Sequence, residues 1–304
     1  MIGRGKERGG AVAAAQFTIG RMDPVPETRI ASTPAYVERI RIVLVGTQHP
    51  GNIGAAARAM KTMGLQRLVL VAPMRFPHAD AEAMAAGADD VLAAAERHDT
   101  LADAIADCRL VLGCTARSRR VALDELSPRD AAQRLRAAAI EVPAALVFGR
   151  ERTGLSNEEL QLCHAAVHIP ANPDYSSLNL AAAVQVMSYE LRLALLQAST
   201  DDADTGGDAR REPPASHAEL EGFFAQLADT LDAIDFHKGR APESAMRKLR
   251  RIFLRSDLDA REVRLLRGVL ADAQRMAQIA KSSPAQPEIP TVPLAPRKRG
   301  EGKG

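Results

Sequence analysis

The sequence predicts an α/β protein built on a parallel sheet. Three observations carry this reading. Short runs of Val, Ile and Leu, such as the apolar half of Arg39–Val45, recur along the first two hundred residues. Stretches with helical spacing of apolar residues lie between them, and polar turns follow most of the runs. Runs that are apolar at successive positions suit strands covered on both faces. Strands alternating with helices put those helices on both sides of one sheet.

Arg39–Val45 is the first expected strand, and it leads through the loop Gly46–Gly54 into a small-residue helix, Ala55–Met63, closed by Gly64. Leu68–Val71 is the second, stopped by Pro73. Two alanine-rich helical pieces follow, Ala79–Ala95 and Leu101–Ala106. Leu110–Cys114 is the third strand and runs into a basic turn, Thr115–Arg120. Ser127-Pro128 is a helix-start pair, with leucine and alanine on one face as far as Ala139. Ala144–Phe148 and Ala165–Ile169 complete five strands. The last leads into a polar loop with Pro170 and Pro173, then Ser176 or Ser177 as the expected N-cap. The helix beyond carries Leu180, Val184, Met187 and Leu191 on one face. Ligands of such sheets bind beyond the carboxyl ends of the strands, where four of these polar turns fall.

Composition changes after Ala198. Residues 199–216 hold Asp201, Asp202, Asp204 and Asp208 with glycines and Pro213-Pro214, as a solvated linker does. Helical patterning returns over 217–281. Leu220, Phe223, Phe224, Leu227 and Leu231 give one expected buried face, Met246, Leu249, Ile252 and Phe253 a second, and Leu265, Leu266, Val269 and Leu270 a third. Residues 1–36 and the basic stretch 282–304, with Arg297, Lys298 and Arg299, are expected to be disordered extensions. Met22 is an alternative start.

Aromatic residues are 3% of the chain, so base stacking is not its main source of affinity. Net charge is +2, and only the distribution of cations is informative. Cys108, Cys114 and Cys163 form no C-x-x-C pair, which fits a reducing cytoplasm. No apolar run reaches the length of a membrane span. The glycines of the first loop match neither G-x-G-x-x-G nor the P-loop spacing, which disfavours a small-molecule nucleotide enzyme. Cys163, His164 and His168 supply no complete zinc ligand set, so no metal is expected. Asn52 and Arg58 read either as a helix cap with a solvated cation or as site residues. Glu151, in a glycine-flanked turn, reads as an acid or base or, preferably, as a carboxylate that fixes the turn through backbone N–H groups.

Read together, three segments resemble, in order, the motifs of the SpoU/TrmH (SPOUT) class of RNA 2′-O-methyltransferases. The first is Arg41-Ile-Val-Leu-Val with Gly51-Asn-Ile-Gly-Ala-Ala-Ala-Arg-Ala-Met-Lys-Thr-Met-Gly-Leu. The second is Val147-Phe-Gly-Arg-Glu-Arg-Thr-Gly-Leu, and the third is Ile169-Pro followed by Ser176-Ser-Leu-Asn-Leu-Ala-Ala-Ala-Val. Met246–Phe253 and Glu262–Leu270 resemble the helical extension of the branch that methylates tRNA. The resemblance implies a deep trefoil knot in residues 37–198, a homodimer with each site open to loans from its neighbour, and a tRNA-gripping role for 217–281. The helix from Asn179 would form part of the dimer seam.

It also implies S-adenosylmethionine as methyl donor, held by Cys114, Thr115, Ala116, Gly149, Ile169, Ser176, Ser177 and Leu178. Methyl transfer to a ribose 2′-hydroxyl, at position 32 of the anticodon loop, needs oxygen, methyl and sulfur in line. The implied catalytic set is Arg58, Asn52, Glu151, Ser177 and Asn179. A guanidinium is a poor base, so the role expected of Arg58 is to orient ribose and phosphate and stabilise the forming alkoxide. Arg117, Arg119 and Arg120, and Arg247, Lys248, Arg250 and Arg251 of the extension, are the expected RNA contacts. The competing expectations are a ribosomal RNA methyltransferase of the same class and a knot protein that binds RNA without methylating it. The intact Asn52, Arg58, Glu151 and Ser177 oppose the second.

Overall fold

The computed structural model describes residues 35–116, 123–201, 213–239 and 241–282. Seven strands form one sheet: β1 (Ile40–Val45), β2 (Leu68–Val71), β3 (Glu96–His98), β4 (Leu110–Cys114), β5 (Glu125–Leu126), β6 (Ala144–Phe148) and β7 (Ala165–Val167). Their order is β3-β2-β1-β6-β4-β7-β5 and every pairing is parallel. Two of the seven, β3 and β5, were not expected. Both are short edge strands with polar side chains, Glu96-Arg-His and Glu125-Leu, and therefore lack the apolar run that marks a central strand.

Alternation along the central strands divides the core. Ile42, Leu44, Leu68, Leu70 and Leu146 meet α1 (Pro50–Thr62), α5 (Pro128–Ala139) and α7 (Leu180–Asp201) on one face. Val43, Val45, Val69, Val111 and Val147 meet α4 (Leu101–Ala104) and α6 (Asn157–Gln161) on the other. The short α2 (Ala79–Ala85) and α3 (Asp89–Ala93) cover the edge of the first face. Each fully buried Leu or Ile contributes about 1.5–3 kcal/mol relative to exposure.

Helix α1 starts five residues earlier than expected. Pro50 occupies its first turn, where the missing N–H costs nothing, so half of the expected loop is helix. Helix α2 is clamped to it: a Cβ on Gly54 would lie 1.9 Å from the Ala81 carbonyl oxygen. In α5 the Ser127 hydroxyl accepts the Asp130 N–H at 3.2 Å, the cap that Ser-Pro promised. In α7 neither Ser176 nor Ser177 is the N-cap. Asn179 is, its Oδ1 accepting the Ala181 N–H at 2.9 Å. Leu180, Val184, Met187 and Leu191 are buried as the spacing predicts.

Residues 213–282 form α8 (His217–Ala233), α9 (Pro242–Leu254) and α10 (Ala260–Ser282) around Phe223, Phe224 and Phe253. The Phe223 and Phe253 rings meet edge to face at 4.9 Å. Three residues expected in the buried faces are exposed instead, namely Ile252, Leu265 and Val269. Each sits beside a residue that takes the inward position, Phe253, Leu266 and Leu270, because one helix face cannot bury both. Helix α8 docks below the sheet: His217 and Ala218 donate backbone N–H groups to Cys108 O (2.8 Å) and Ala106 O (3.0 Å). Arg109 bonds the Pro214 carbonyl, and Arg134–Asp257 and Arg251–Asp124 pairs lie at 3.7 and 3.8 Å.

Candidate active site

The carboxyl ends of β6, β4 and β7 lie side by side, and a cavity of 820 Å³ opens there. Its wall includes every residue expected to hold the donor: Cys114, Thr115, Ala116, Gly149, Ile169, Ser176, Ser177 and Leu178. Ile169 lies beyond the end of β7 rather than in the strand, since pairing stops at Val167. Cys114 is half-buried, and desolvation pushes its thiol pKa up to about 12, so it lines the pocket as a small apolar group and not as a nucleophile. Cys108 and Cys163 are raised to about 12 by the same cause.

The turn Gly149–Gly154 is built for close backbone approach. A Cβ on Gly149 would lie 2.1 Å from both the Gly154 carbonyl carbon and the Leu155 nitrogen. Gly154 has φ +67, and Arg150 and Gly154 exchange hydrogen bonds at 3.3 and 2.8 Å. Arg150 is held by both Glu159 oxygens at 3.0 and 3.1 Å. Glu159 in turn closes a capping box with Ser156 at the start of α6.

Glu151 leaves this turn and reaches the first loop. Its carboxylate accepts the Gln48 N–H at 3.0 Å, the His49 N–H at 3.1 Å and Asn52 Nδ2 at 2.9 Å. It does fix a loop through backbone N–H groups, but the loop is the one before α1 and not its own. Partial burial works against its charge. The bonds from Asn52, Gln48 and His49 outweigh that and hold its pKa below the usual carboxylate range. Asn52 then passes the connection on, its Oδ1 accepting from Asn179 Nδ2 at 3.1 Å. One hydrogen-bonded relay, Glu151–Asn52–Asn179–Ala181, thus ties together the three segments that the sequence singled out.

Arg58 does not join that relay. Six residues further along α1, it lies part-way round the helix from Asn52, whose two polar atoms are already taken. It is exposed, lies outside the cavity wall and has no side-chain partner among the described residues. Arg117, Arg119 and Arg120 lie outside the described residues. Arg247 and Lys248 are exposed on α9, and Arg251 leans toward Asp124. Arg250 differs from them: it is paired with Glu221 and stacked on Phe224, with its guanidinium carbon 4.3 Å from the ring centroid. Arg250 was expected among the RNA contacts, but its pairing and stacking engage it inside the extension.

Arg152, Thr153 and Asn157 also line the cavity and were not singled out beforehand. For Arg152 and Thr153 the signal was present in the Gly149–Gly154 turn, since a tight turn after a strand presents its tip residues over the site; Asn157 opens α6 beyond it. His164 is a core histidine whose Nδ1 accepts the Val111 N–H at 3.1 Å. Among the described residues no group of three or more metal-ligating side chains is found, and no helix is long and apolar enough to cross a membrane.

A parallel α/β sheet with a backbone-lined cavity at its carboxyl edge, closed by these three segments, has counterparts among known proteins. The sequence profile of the SpoU rRNA Methylase family matches residues 39–189, and the chain belongs to that family. Residues 218–282 match a second profile, described as the C-terminal domain of tRNA methyltransferase TrmJ. A Citrobacter koseri protein named tRNA (cytidine/uridine-2′-O-)-methyltransferase TrmJ is 48% identical over 239 residues, covering 79% of this chain and 98% of its own. A Pseudomonas aeruginosa relative named tRNA (cytidine/uridine/adenosine-2′-O-)-methyltransferase TrmJ is 47% identical over 253 residues, covering 80% and 96%. The crystal structure of TrmJ from Z. mobilis ZM4 superposes with a TM-score of 0.66 at 37% identity, covering 76% of this chain and 97% of that one.

Proposed function

We propose that the protein methylates a ribose 2′-hydroxyl of tRNA, at position 32 of the anticodon loop, with S-adenosylmethionine as donor. The observation that carries this is the Glu151–Asn52–Asn179 relay, which clamps the three family segments around the cavity in a chain 48% identical to tRNA 2′-O-methyltransferases. The cavity fits the donor: its volume falls within the range of small-molecule sites, and small residues, Cys114, Ala116, Gly149 and Ser176, line it beside Leu178 and Ile169. When bound, the donor supplies an electrophilic methyl on a positively charged sulfur.

The chain's own residues do the rest. Backbone at Cys114–Ala116 and Gly149, with Ile169 and Ser176–Leu178, holds and bends the donor. Asn179 and Asn52 fix the edge of the site against α7, and Ser177, exposed at its rim, faces the incoming ribose. Arg58 orients ribose and phosphate and stabilises the developing alkoxide with its planar fork. Since Arg58 lies outside the cavity wall of its own chain, a homodimer in which α1 and α7 approach the neighbouring site suits this role. Threading of the segment after β7 through an earlier loop as a deep trefoil knot fits the interleaved strand order β1-β6-β4-β7. The exposed Arg247, Lys248 and Arg251 grip tRNA, and the enzyme works in the cytoplasm.

The test is transfer of labelled methyl to unmodified tRNA, followed by mapping of the modified nucleotide. Label on the ribose at position 32 is expected. Label on ribosomal RNA alone would move the protein to another substrate, and no transfer to either would sink the reading. Variants of the tRNA with cytidine, uridine or adenosine at that position decide which nucleosides are accepted. The relatives' names differ on adenosine.

A further inference from the structure

We infer that Arg152 is a substrate contact that receives a phosphate of the RNA strand at the mouth of the cavity. This rests on the function proposed above and names a contact that function does not include. Arg152 stands at the tip of the Gly149–Gly154 turn, exposed, and lines the cavity. It makes no hydrogen bond or ion pair among the described residues.

That freedom is unusual in its setting. The cavity wall holds three carboxylates, and two of them are already engaged elsewhere. Glu151 is taken by Gln48, His49 and Asn52, and Glu159 by Arg150 and the Ser156 amide. Glu158 is exposed in the first turn of α6. The other guanidinium of the wall, Arg150, is spent on Glu159. Two guanidiniums against three carboxylates make no broad field for drawing in an anion. What Arg152 offers is local: unclaimed donors in a fork that matches phosphate geometry.

The turn below it is rigid, which supplies the second half of the argument. Arg150 and Gly154 pair across it, Gly149 packs on Gly154 and Leu155, and the two residues before Arg152, Arg150 and Glu151, are both pinned through their side chains. A flexible cation on a fixed base, facing outward beside a site where ribose must be presented, is placed to set the strand's register. The donor's own carboxylate is the competing anion. It would have to lie at the cavity rim rather than against the backbone wall, and the experiment separates the two.

Arg152→Ala and Arg152→Lys are compared with the unaltered protein in tRNA binding across a salt series and in steady-state kinetics with each substrate varied. The alanine variant is expected to bind tRNA about tenfold more weakly, with a salt dependence reduced by about one ion. Its affinity for S-adenosylmethionine, measured directly by calorimetry, stays unchanged. The lysine variant is expected to keep the salt slope and lose part of the affinity. Unchanged tRNA affinity and slope in the alanine variant overturn the inference, and so does a weakening confined to the donor. A failure of the unaltered protein to methylate any tRNA would instead strike at the function on which this rests.

Discussion

At the scale of single residues, Glu151 is the most consequential side chain described. It joins two loops that are 99 or more residues apart in sequence, through four hydrogen bonds to Gln48, His49 and Asn52. Glu151→Gln keeps the shape but turns one acceptor into a donor facing backbone N–H groups. Methyl transfer is expected to fall by about 10²-fold, since lost alignment at a distance costs that much, and thermal stability should drop by a few degrees. Activity within twofold of normal would show that the relay does not position the site. Because its pKa is depressed, Glu151 contributes stability above its ordinary carboxylate value, and that contribution is lost as pH falls through the lower folded value. Arg58→Lys tests the guanidinium argument: turnover is expected to collapse while tRNA affinity changes little, and near-normal turnover would refute the need for a fork. The residues of this site were legible in the sequence as types and positions. Their partners were not. Neither Glu151's reach to Gln48 nor the withdrawal of Arg250 to Glu221 follows from spacing, because both are contacts made only after distant segments pack.

At the scale of elements, the strongly apolar strands and the helix beginning at Leu180 were readable, since burial on both faces leaves an unbroken run of Val, Ile and Leu. The edge strands β3 and β5 were not, having no such run to show. The start of α1 was hidden because Pro50 and Gly51 resemble loop residues, although a proline in the first helical turn is favourable. Close contacts between elements give a sharp prediction. Gly149→Ala puts a methyl group onto the backbone of Gly154 and Leu155, so the turn must open. Donor binding, followed by calorimetry, is expected to be lost even if the protein still folds by circular dichroism; donor binding as tight as normal would show that the turn tolerates the change. A second prediction concerns the junction of β7, β4 and α8. Burial, with His217 and Arg134 nearby, lowers the pKa of His164 to about 4, and burial lowers that of His217 as well. Histidines held neutral contribute stability that is complete above their unfolded value near 6.5 and is lost as pH falls toward 4. Denaturation at pH 7 and pH 4.5 should differ by roughly 2–3 kcal/mol on account of His164, and His164→Asn, which keeps an acceptor for Val111, should shrink that difference.

At the scale of the whole molecule, the extension was legible as three amphipathic helices but its seat was not. Nothing in the pattern of 217–281 indicates that His217 and Ala218 will bond to the loop before β4, or that Arg109 will hold both the Pro214 carbonyl and, at 3.6 Å, Glu219. These contacts make the seat testable. Arg109→Ala is expected to loosen the extension, raise the KM for tRNA several-fold and leave donor affinity unchanged. An unaltered KM would mean that the seat has no part in substrate handling. Binding of tRNA to the intact protein is expected to weaken steeply with salt, because the proposed contacts of the exposed Arg247, Lys248 and Arg251 would displace counterions from phosphate; a flat response would remove the extension from the RNA contact.

The docking of α8 has one more consequence. Its anchor points, Ala106 and Cys108, precede β4, and the cavity begins where β4 ends at Cys114. The strand is therefore the arm of a caliper, with one jaw at the helices and the other at the methyl site. Its five residues make four steps of about 3.3 Å, which set the arm's length at roughly 13 Å. With the proposed tRNA contacts on those helices, such a strand would let the chain choose a nucleotide by measuring a folded RNA more than by reading its spelling.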